Sequence, residues 1–249
     1  SGQKQQIRLF SREEAMPLSL ALIIDRSGSQ DSFEHENIHA AITFFRSILR
    51  PRQDTAMVSA FGVKIKLIQA PTPDLDALET SLKQMIKNYG RAPWVGPEVN
   101  RSGGSAVIDA AYWTCRDKLA GVQGRKAVIM IGDGRDNASQ VAMTELIDFL
   151  QANDILFYGL DNGGEDSKEN RRLRNLMPVV AAETGGRVFQ TGQVPLREAF
   201  AQIEQELRTL YTLGYASTNT ERDGRYRKIE IRPLNRELSV RARPGYYAR

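Results

Sequence analysis

The sequence predicts an α/β fold built on a doubly wound, mostly parallel sheet flanked by helices, with a small antiparallel β appendage formed by the two ends of the chain. Three observations carry this. Apolar runs of strand length alternate with amphipathic helical stretches from residue 18 to about residue 210. The runs LSLALIID (18–25) and KAVIMIGD (126–133) are apolar without alternation, as strands covered on both faces are. Beyond residue 210 the pattern changes to strict apolar–polar alternation, the mark of strands with one wet face.

Taken in order, Gln6 to Phe10 alternate and predict a short N-terminal strand. After the first apolar run, Phe33, Ile38, Ala41, Ile42, Phe45 and Leu49 fall at helical spacing and stop before Pro51. TAMVSAFG (55–62) and KIKLIQA (64–70) read as a hairpin turning at Gly62 and Val63. Leu75, Leu78, Leu82, Met85 and Ile86 mark a second helix, followed by a Gly/Pro-rich loop from Asn88 to Gly104. A third helix is expected from about Ser105, with Ile108, Ala111, Tyr112, Cys115 and Leu119 on one stripe. Next come the strand 126–133, a helix, the strand ILFYGLD (155–161), a helix, the short strand RVFQ (187–190) and a helix from Pro195 to about Leu210. YTLGYAS, YRKIEIRPL and ELSVRARPGYY complete the chain as antiparallel strands, with the first expected near the N-terminal strand. The expected division is an N-terminal strand over 1–16, left from a preceding β domain, a central domain over 17–212 and a C-terminal β extension over 213–249.

Composition excludes several classes of function. The chain has 249 residues, 41% of them hydrophobic and 26% charged, with a net charge of +4, so nothing in the balance calls for a nucleic-acid or membrane partner. Nine Arg or Lys stand against four acids in residues 221–249, but they occupy the polar phase of alternating strands, which is the pattern of a solvated face. No nucleic-acid ligand is expected. One cysteine rules out an internal disulfide framework and a Cys-type zinc site, and the place of Cys115 on a helical stripe makes it a core residue. No apolar run reaches transmembrane length, and residues 1–20 hold no signal-peptide core.

The residues that carry chemistry sit where the strands end. In an open parallel sheet the loops at the carboxyl ends of the strands line one edge, where ligands bind. Asp25 and Asp133 close the two apolar runs, and Ser105 follows two glycines in RSGGSA. The run DRSGS spaces Asp25, Ser27 and Ser29 so that all three can face the same way from a tight turn. Two carboxylates and three hydroxyls, without imidazole or thiolate, suit a hard divalent cation: Mg²⁺ first, with Mn²⁺ or Ca²⁺ possible. Hydroxyls add no charge, so such an ion stays electrophilic and can accept a carboxylate from a partner.

Other motifs carry less. His35-Glu36-Asn37-Ile38-His39 has the zincin spacing, but these are the only histidines, and residues 55–68 are strands rather than a helix bearing a third ligand. Both histidines flank the apolar stripe and are expected on the surface. GLDNGGEDSK lacks the phosphate-loop spacing. The loop from Asn88 to Arg101 leads into the Gly-Gly-Ser corner and holds Tyr89, Arg91, Trp94 and Arg101, residue types favoured at interface hot spots. They are candidate partner contacts, with Trp94 alternatively folding back over the sheet. The loop 161–172 is a second candidate.

With DRSGS at Asp25–Ser29, GGS at Gly103–Ser105 and GDG at Gly132–Gly134 in this order, residues 17–212 resemble a von Willebrand factor A domain with a metal-ion-dependent adhesion site. The wider chain, through LRPRQDTAMVSAF, GRKAVIMIGDGRDN and the closing LGYAS to PGYY, resembles the VWFA-related proteins of acidobacteria. The resemblance implies a Rossmann-like fold and a non-enzymatic, adhesion-type module. It implies that Ser27, Ser29 and Ser105 ligate the metal, with Asp25 and Asp133 bound directly or through water, and that a partner's Asp or Glu completes the shell. It also implies export to the envelope or beyond the cell. Two positions depart from the pattern: serine replaces the usual threonine at 105, and Gly132 stands where Thr or Ser commonly precedes the second acid. A metal-dependent hydrolase using the same ion is the alternative from another class, with only Asp136, Asp161 and Glu165 near the right edge as candidate bases. A scaffold domain with a vestigial site is the third reading.

Overall fold

The computed structural model describes residues 2–12, 16–98, 103–163 and 175–248. Its centre is a six-stranded sheet of β2 (Leu18–Asp25), β3 (Thr55–Phe61), β4 (Ile65–Thr72), β5 (Arg125–Gly132), β6 (Ile155–Asp161) and β7 (Arg187–Gln190), in the spatial order β4-β3-β2-β5-β6-β7. Only β4 runs antiparallel, because the tight turn after Phe61 returns it directly along β3. All other pairs are parallel.

Alternate residues of the two central strands feed opposite layers, which is why their apolar runs are continuous. Leu18, Leu20, Leu22 and Ile24 of β2, with Ala127, Ile129 and Ile131 of β5, pack against α1 (Glu34–Ile48), α2 (Leu75–Asn88) and α6 (Leu196–Arg208). Ala21, Ile23, Val128 and Met130 face α3 (Val107–Lys118), α4 (Met143–Ala152) and α5 (Met177–Thr184). Each fully buried Leu or Ile in these layers contributes about 1.5–3 kcal/mol. Cys115 is fully buried in the second layer, and burial pushes its thiol up from the ordinary range.

The chain winds from β2 towards β3 on one side and later towards β5 on the other, so the crossovers diverge at the carboxyl ends of β2 and β5. Asp25 and Asp133 stand there, with Asp161 at the end of β6. At the opposite edge, Asp54 ties the frame together. Its carboxylate accepts from the backbone N–H groups of Leu18 and Arg50, each at 2.8 Å, and from the Arg208 guanidinium at 2.5 Å. It thereby joins the starts of β2 and β3 to the ends of α1 and α6.

The N-terminal strand β1 (Ile7–Arg12) pairs antiparallel with β8 (Tyr211–Tyr215), from Ile7 opposite Tyr215 to Arg12 opposite Tyr211. Phe10 stacks on Tyr211 at 5.3 Å between ring centroids, and both rings are largely exposed. The tail departs from expectation. Of the two long alternating runs, only β9 (Tyr226–Lys228) and β10 (Gly245–Tyr247) form strands, flanked by backbone bonds from the Ile229 N–H to the Pro244 carbonyl, from the Gly224 N–H to the Ala248 carbonyl and from the Ala248 N–H to the Arg225 carbonyl. Pro233 and Pro244 donate no ladder hydrogen bonds, and Leu234, Leu238 and Val240 find no core to cover, so alternation alone does not extend the ladder. Arg241 and Arg243 instead fasten the tail to the domain, bonding the carbonyls of Gly185 and Gln151.

Candidate metal centre

The edge of the sheet brings the five predicted site residues together. Asp25 ends β2 and is 2% exposed. Its Oδ1 accepts from the Ser27 N–H at 2.8 Å, closing the turn that starts DRSGS, and its Oδ2 accepts from the Ser105 hydroxyl at 3.4 Å. The Ser27 and Ser29 hydroxyls lie 3.1 Å apart, and Ser29 Oγ donates to Asp133 Oδ2 at 3.0 Å. Hydroxyls from two loops thus bridge the carboxylates of two strands. Ser27, Ser29, Ser105 and Asp133 line one cavity of about 580 Å³, and Asp25 meets them from below through Ser27 and Ser105.

Local sequence explains each placement. DRSGS passes into a 3₁₀ turn over Gly28–Phe33 whose Gln30 is buried. Asn162, just after β6, donates to Asn37 Oδ1 at 3.0 Å and approaches Gln30 Oε1 at 3.5 Å, fixing the turn that carries Ser29. Ser105 is placed differently from expectation. Helix α3 begins at Val107, and Ser105 lies in the loop before it. Gly103 and Gly104, at φ +80° and +104°, keep this segment out of the helix. The Ser105 N–H donates to Asn137 Oδ1 at 2.8 Å, while its carbonyl accepts from the N–H groups of Asn137 and Ala138 at 3.1 and 3.2 Å.

The loop after Asp133 is therefore the scaffold of the site. Asp136 accepts from the Ile108 N–H at 2.9 Å and the Ser139 N–H at 3.1 Å, capping α3 from outside. Asp109 reaches back from α3 to the N–H groups of Gln140 and Val141. The sequence singled out Asp136 only as a candidate base, and Asn137, Ser139 and Asp109 not at all. The one available signal was the polar density of the run Asp133–Ser139, rich in side chains that bond nearby backbone.

The electrostatics suit a cation. Burial pushes the Asp25 carboxyl up to about 6, against the pull of the Ser27 N–H, and the nearby Asp133 charge adds to the rise. Arg135 donates its backbone N–H to Asp133 Oδ1 at 3.0 Å and holds its guanidinium 4.0 Å from Oδ2. The donor set fits a hard divalent ion: oxygen only, two carboxylates, and hydroxyls already aimed at them. Among the described residues no cluster of three or more His, Cys, Asp or Glu side chains could hold a metal ion, so a metal at this edge would depend on the serine hydroxyls as well as the two carboxylates.

Other candidates lie elsewhere. Tyr89 lines the cavity, and its hydroxyl donates to the Lys64 carbonyl at 2.6 Å. Trp94 lies along β4, bridged to Lys66, with both flanking backbone groups bonded: Leu67 N to Pro93 O at 2.8 Å and Val95 N to Ile65 O at 3.0 Å. Arg91 is exposed beside them. Arg101, Glu165 and most of the loop 161–172 lie outside the described residues. His35 and His39 are exposed on α1, away from the cavity lining. Asp161 accepts from the Gly163 N–H at 2.7 Å and from Asn175 at 2.8 Å, and burial pushes its carboxyl up. Like Asp136, it is engaged in holding loops.

No protein-family model and no curated protein sequence matches the chain. Solved structures do. A von Willebrand factor type A protein from Catenulispora acidiphila is 16% identical with a TM-score of 0.56, over 77% of this chain and 43% of that one. The von Willebrand factor domain of a type V pili tip protein from Porphyromonas gingivalis is 9% identical with a TM-score of 0.56, over 76% and 94%. An aerotolerance-related membrane protein from Bacteroides fragilis is 14% identical with a TM-score of 0.53, over 76% and 98%. The chain spans under half the length of the first of these. At such identities the likeness establishes the architecture: a mixed α/β domain with the von Willebrand factor A fold.

Proposed function

We propose that residues 17–212 form a binding module that holds one divalent cation, Mg²⁺ foremost, and captures an acidic side chain of a protein partner, with the terminal β segments as an appendage. One observation carries this reading: three sequence-distant segments place Ser27, Ser29, Ser105 and Asp133 around a single cavity above the buried Asp25. Helix capping would account for one segment, not for three that converge. The five residues would hold the ion directly or through water, and the ion supplies a positive centre to which an outside carboxylate can bind. Asn137, Asn162 and Asp136 keep the oxygen donors in place before any ligand arrives, which lowers the ordering cost of binding.

The fold's company supports an interaction role at the cell envelope, since a pilus-tip domain and an aerotolerance-related membrane protein share it. No described helix is long and apolar enough to cross a membrane. The test is calorimetric titration of Mg²⁺, Mn²⁺ and Ca²⁺ into chelator-stripped protein, beside Asp25→Ala, followed by metal-dependent capture of envelope proteins. Saturable heat lost in the variant supports the reading. Wild-type protein that takes up none of the three ions, with or without an added carboxylate, overturns it.

A further inference from the structure

Among the described residues three cations line the cavity, and they are not equivalent. Arg26 is matched within the chain: its Nε donates to Glu34 at 2.5 Å, and its guanidinium lies 4.9 Å from the centre of the Tyr89 ring. Arg135 faces Asp133. Lys64 is exposed at the β3–β4 turn and lines the same cavity, and no described carboxylate lies within ion-pair distance of it.

Behind that lining is a second unmatched charge. Lys66 is 6% exposed, and its ammonium is met by the Ala92 carbonyl at 2.9 Å and the Trp94 ring at 4.3 Å, with no described carboxylate in reach. Trp94 also lies 5.8 Å from the Lys64 ammonium, so one indole face system serves two lysines. A ring and a carbonyl reduce the cost of burying an ammonium but leave its unit charge in place. In a low-dielectric wall that field reaches into the adjoining cavity rather than being screened. Backbone bonds on both sides of Trp94 hold this arrangement rigid.

We propose that the Lys64 wall, backed by Trp94 and Lys66, is a second anion subsite, so that the preferred ligand is a peptide segment carrying two acidic side chains: one for the metal centre and one for Lys64. The inference rests on the proposed function for the first contact. A bound cation and the Lys64 ammonium would be two distinct positive centres in one cavity, which suits two carboxylates on one segment rather than one compact dianion, and Val63 and Tyr89 add apolar surface to the same lining. Trp94, Tyr89 and the β3–β4 turn thereby set specificity without touching the metal.

The experiment uses fluorescent Gly-rich octapeptides with one aspartate, with a second aspartate placed one to four residues further on, or with asparagine at that second place. Affinities are read by anisotropy in Mg²⁺ and in chelator, for the wild type, Lys64→Gln, Lys66→Met and Asp25→Ala. The expected result is that at least one two-acid peptide binds about fivefold tighter than its asparagine twin, a gain typical of a partly screened charge contact. That ratio falls to about one in Lys64→Gln and in strong salt, and declines in Lys66→Met. A ratio near one in the wild type at every spacing overturns the inference, as does a ratio unchanged in Lys64→Gln. A sulfated disaccharide that displaces the two-acid peptide through Lys64 more effectively than a free one-acid peptide does would also overturn it, by showing a sugar subsite. Failure of the metal reading looks different: affinities would be indifferent to Mg²⁺ and to Asp25→Ala, whatever the ratio.

Discussion

No side chain can stand at position 132 while Asp25 keeps its place: a Cβ there would lie 2.6 Å from the Asp25 Cβ and 2.9 Å from Oδ2. Gly132 is thus part of how this chain seats its first carboxylate. Gly132→Thr is expected to displace Asp25, cost about 1–3 kcal/mol through overpacking and remove measurable metal binding. Chemical denaturation and metal titration of the variant check both; an unperturbed titration would show that Asp25 has room to move.

Asp25 makes stability fall with pH in metal-free protein. Its folded carboxyl is raised to about 6, whereas the unfolded group titrates near about 4. The native state therefore holds the proton longer, unfolding releases it between those values, and stability declines as pH rises through the window and is level above it. The loss is on the order of 3 kcal/mol. Metal-free Asp25→Asn, which mimics the protonated form, is expected to exceed the wild type in melting temperature at neutral pH and to match it near pH 4. If the proposed ion binds the deprotonated site, saturating Mg²⁺ is expected to reverse the trend for the wild type alone.

Asn137 supports Ser105 from both sides, accepting from its N–H and donating to its carbonyl. Only the first bond uses the side chain. Asn137→Ala is expected to cost about 1–2 kcal/mol of stability and to weaken metal affinity by about tenfold or more, the usual consequence of losing a group that orients a ligand. Paired melting and calorimetry would separate the two effects.

At the far edge, burial alone would raise the Asp54 carboxyl, but Arg208, Arg50 and the N–H groups of Leu18 and Arg50 hold it at about 2. Its contribution is complete above about pH 4 and is lost as pH falls towards about 2. Asp54→Ala leaves Arg208 without its carboxylate and is expected to destabilise by about 3–5 kcal/mol. Denaturation curves at neutral pH and in acid give the two readings: a large difference in the first, a small one in the second.

Much of the fold was legible because its signals are periodic. The unbroken apolar runs of β2 and β5 reported burial on both faces, and the stripe through Ile108, Ala111, Tyr112 and Cys115 reported a helix against the sheet. The convergence of Asp25, Ser29 and Asp133 followed from where parallel strands end. Their role as ligands is the proposal above. What stayed hidden has no period. Asn137, Asp136 and Asn162 act through hydrogen bonds to backbone or side chains that are mostly distant in sequence, which no spacing announces. The tail misled for the opposite reason: its alternation was regular, but no second layer lies beneath Leu238 and Val240 to make that alternation count.

The antiparallel pairing of β1 with β8 has a mechanical reading. Because Ile7 lies opposite Tyr215, tension applied through residues 6 and 216 acts on one end of the ribbon and loads its bonds singly, as a zipper opens. Opening it bond by bond in this way would free the chain before β1 while the six-stranded sheet stays intact.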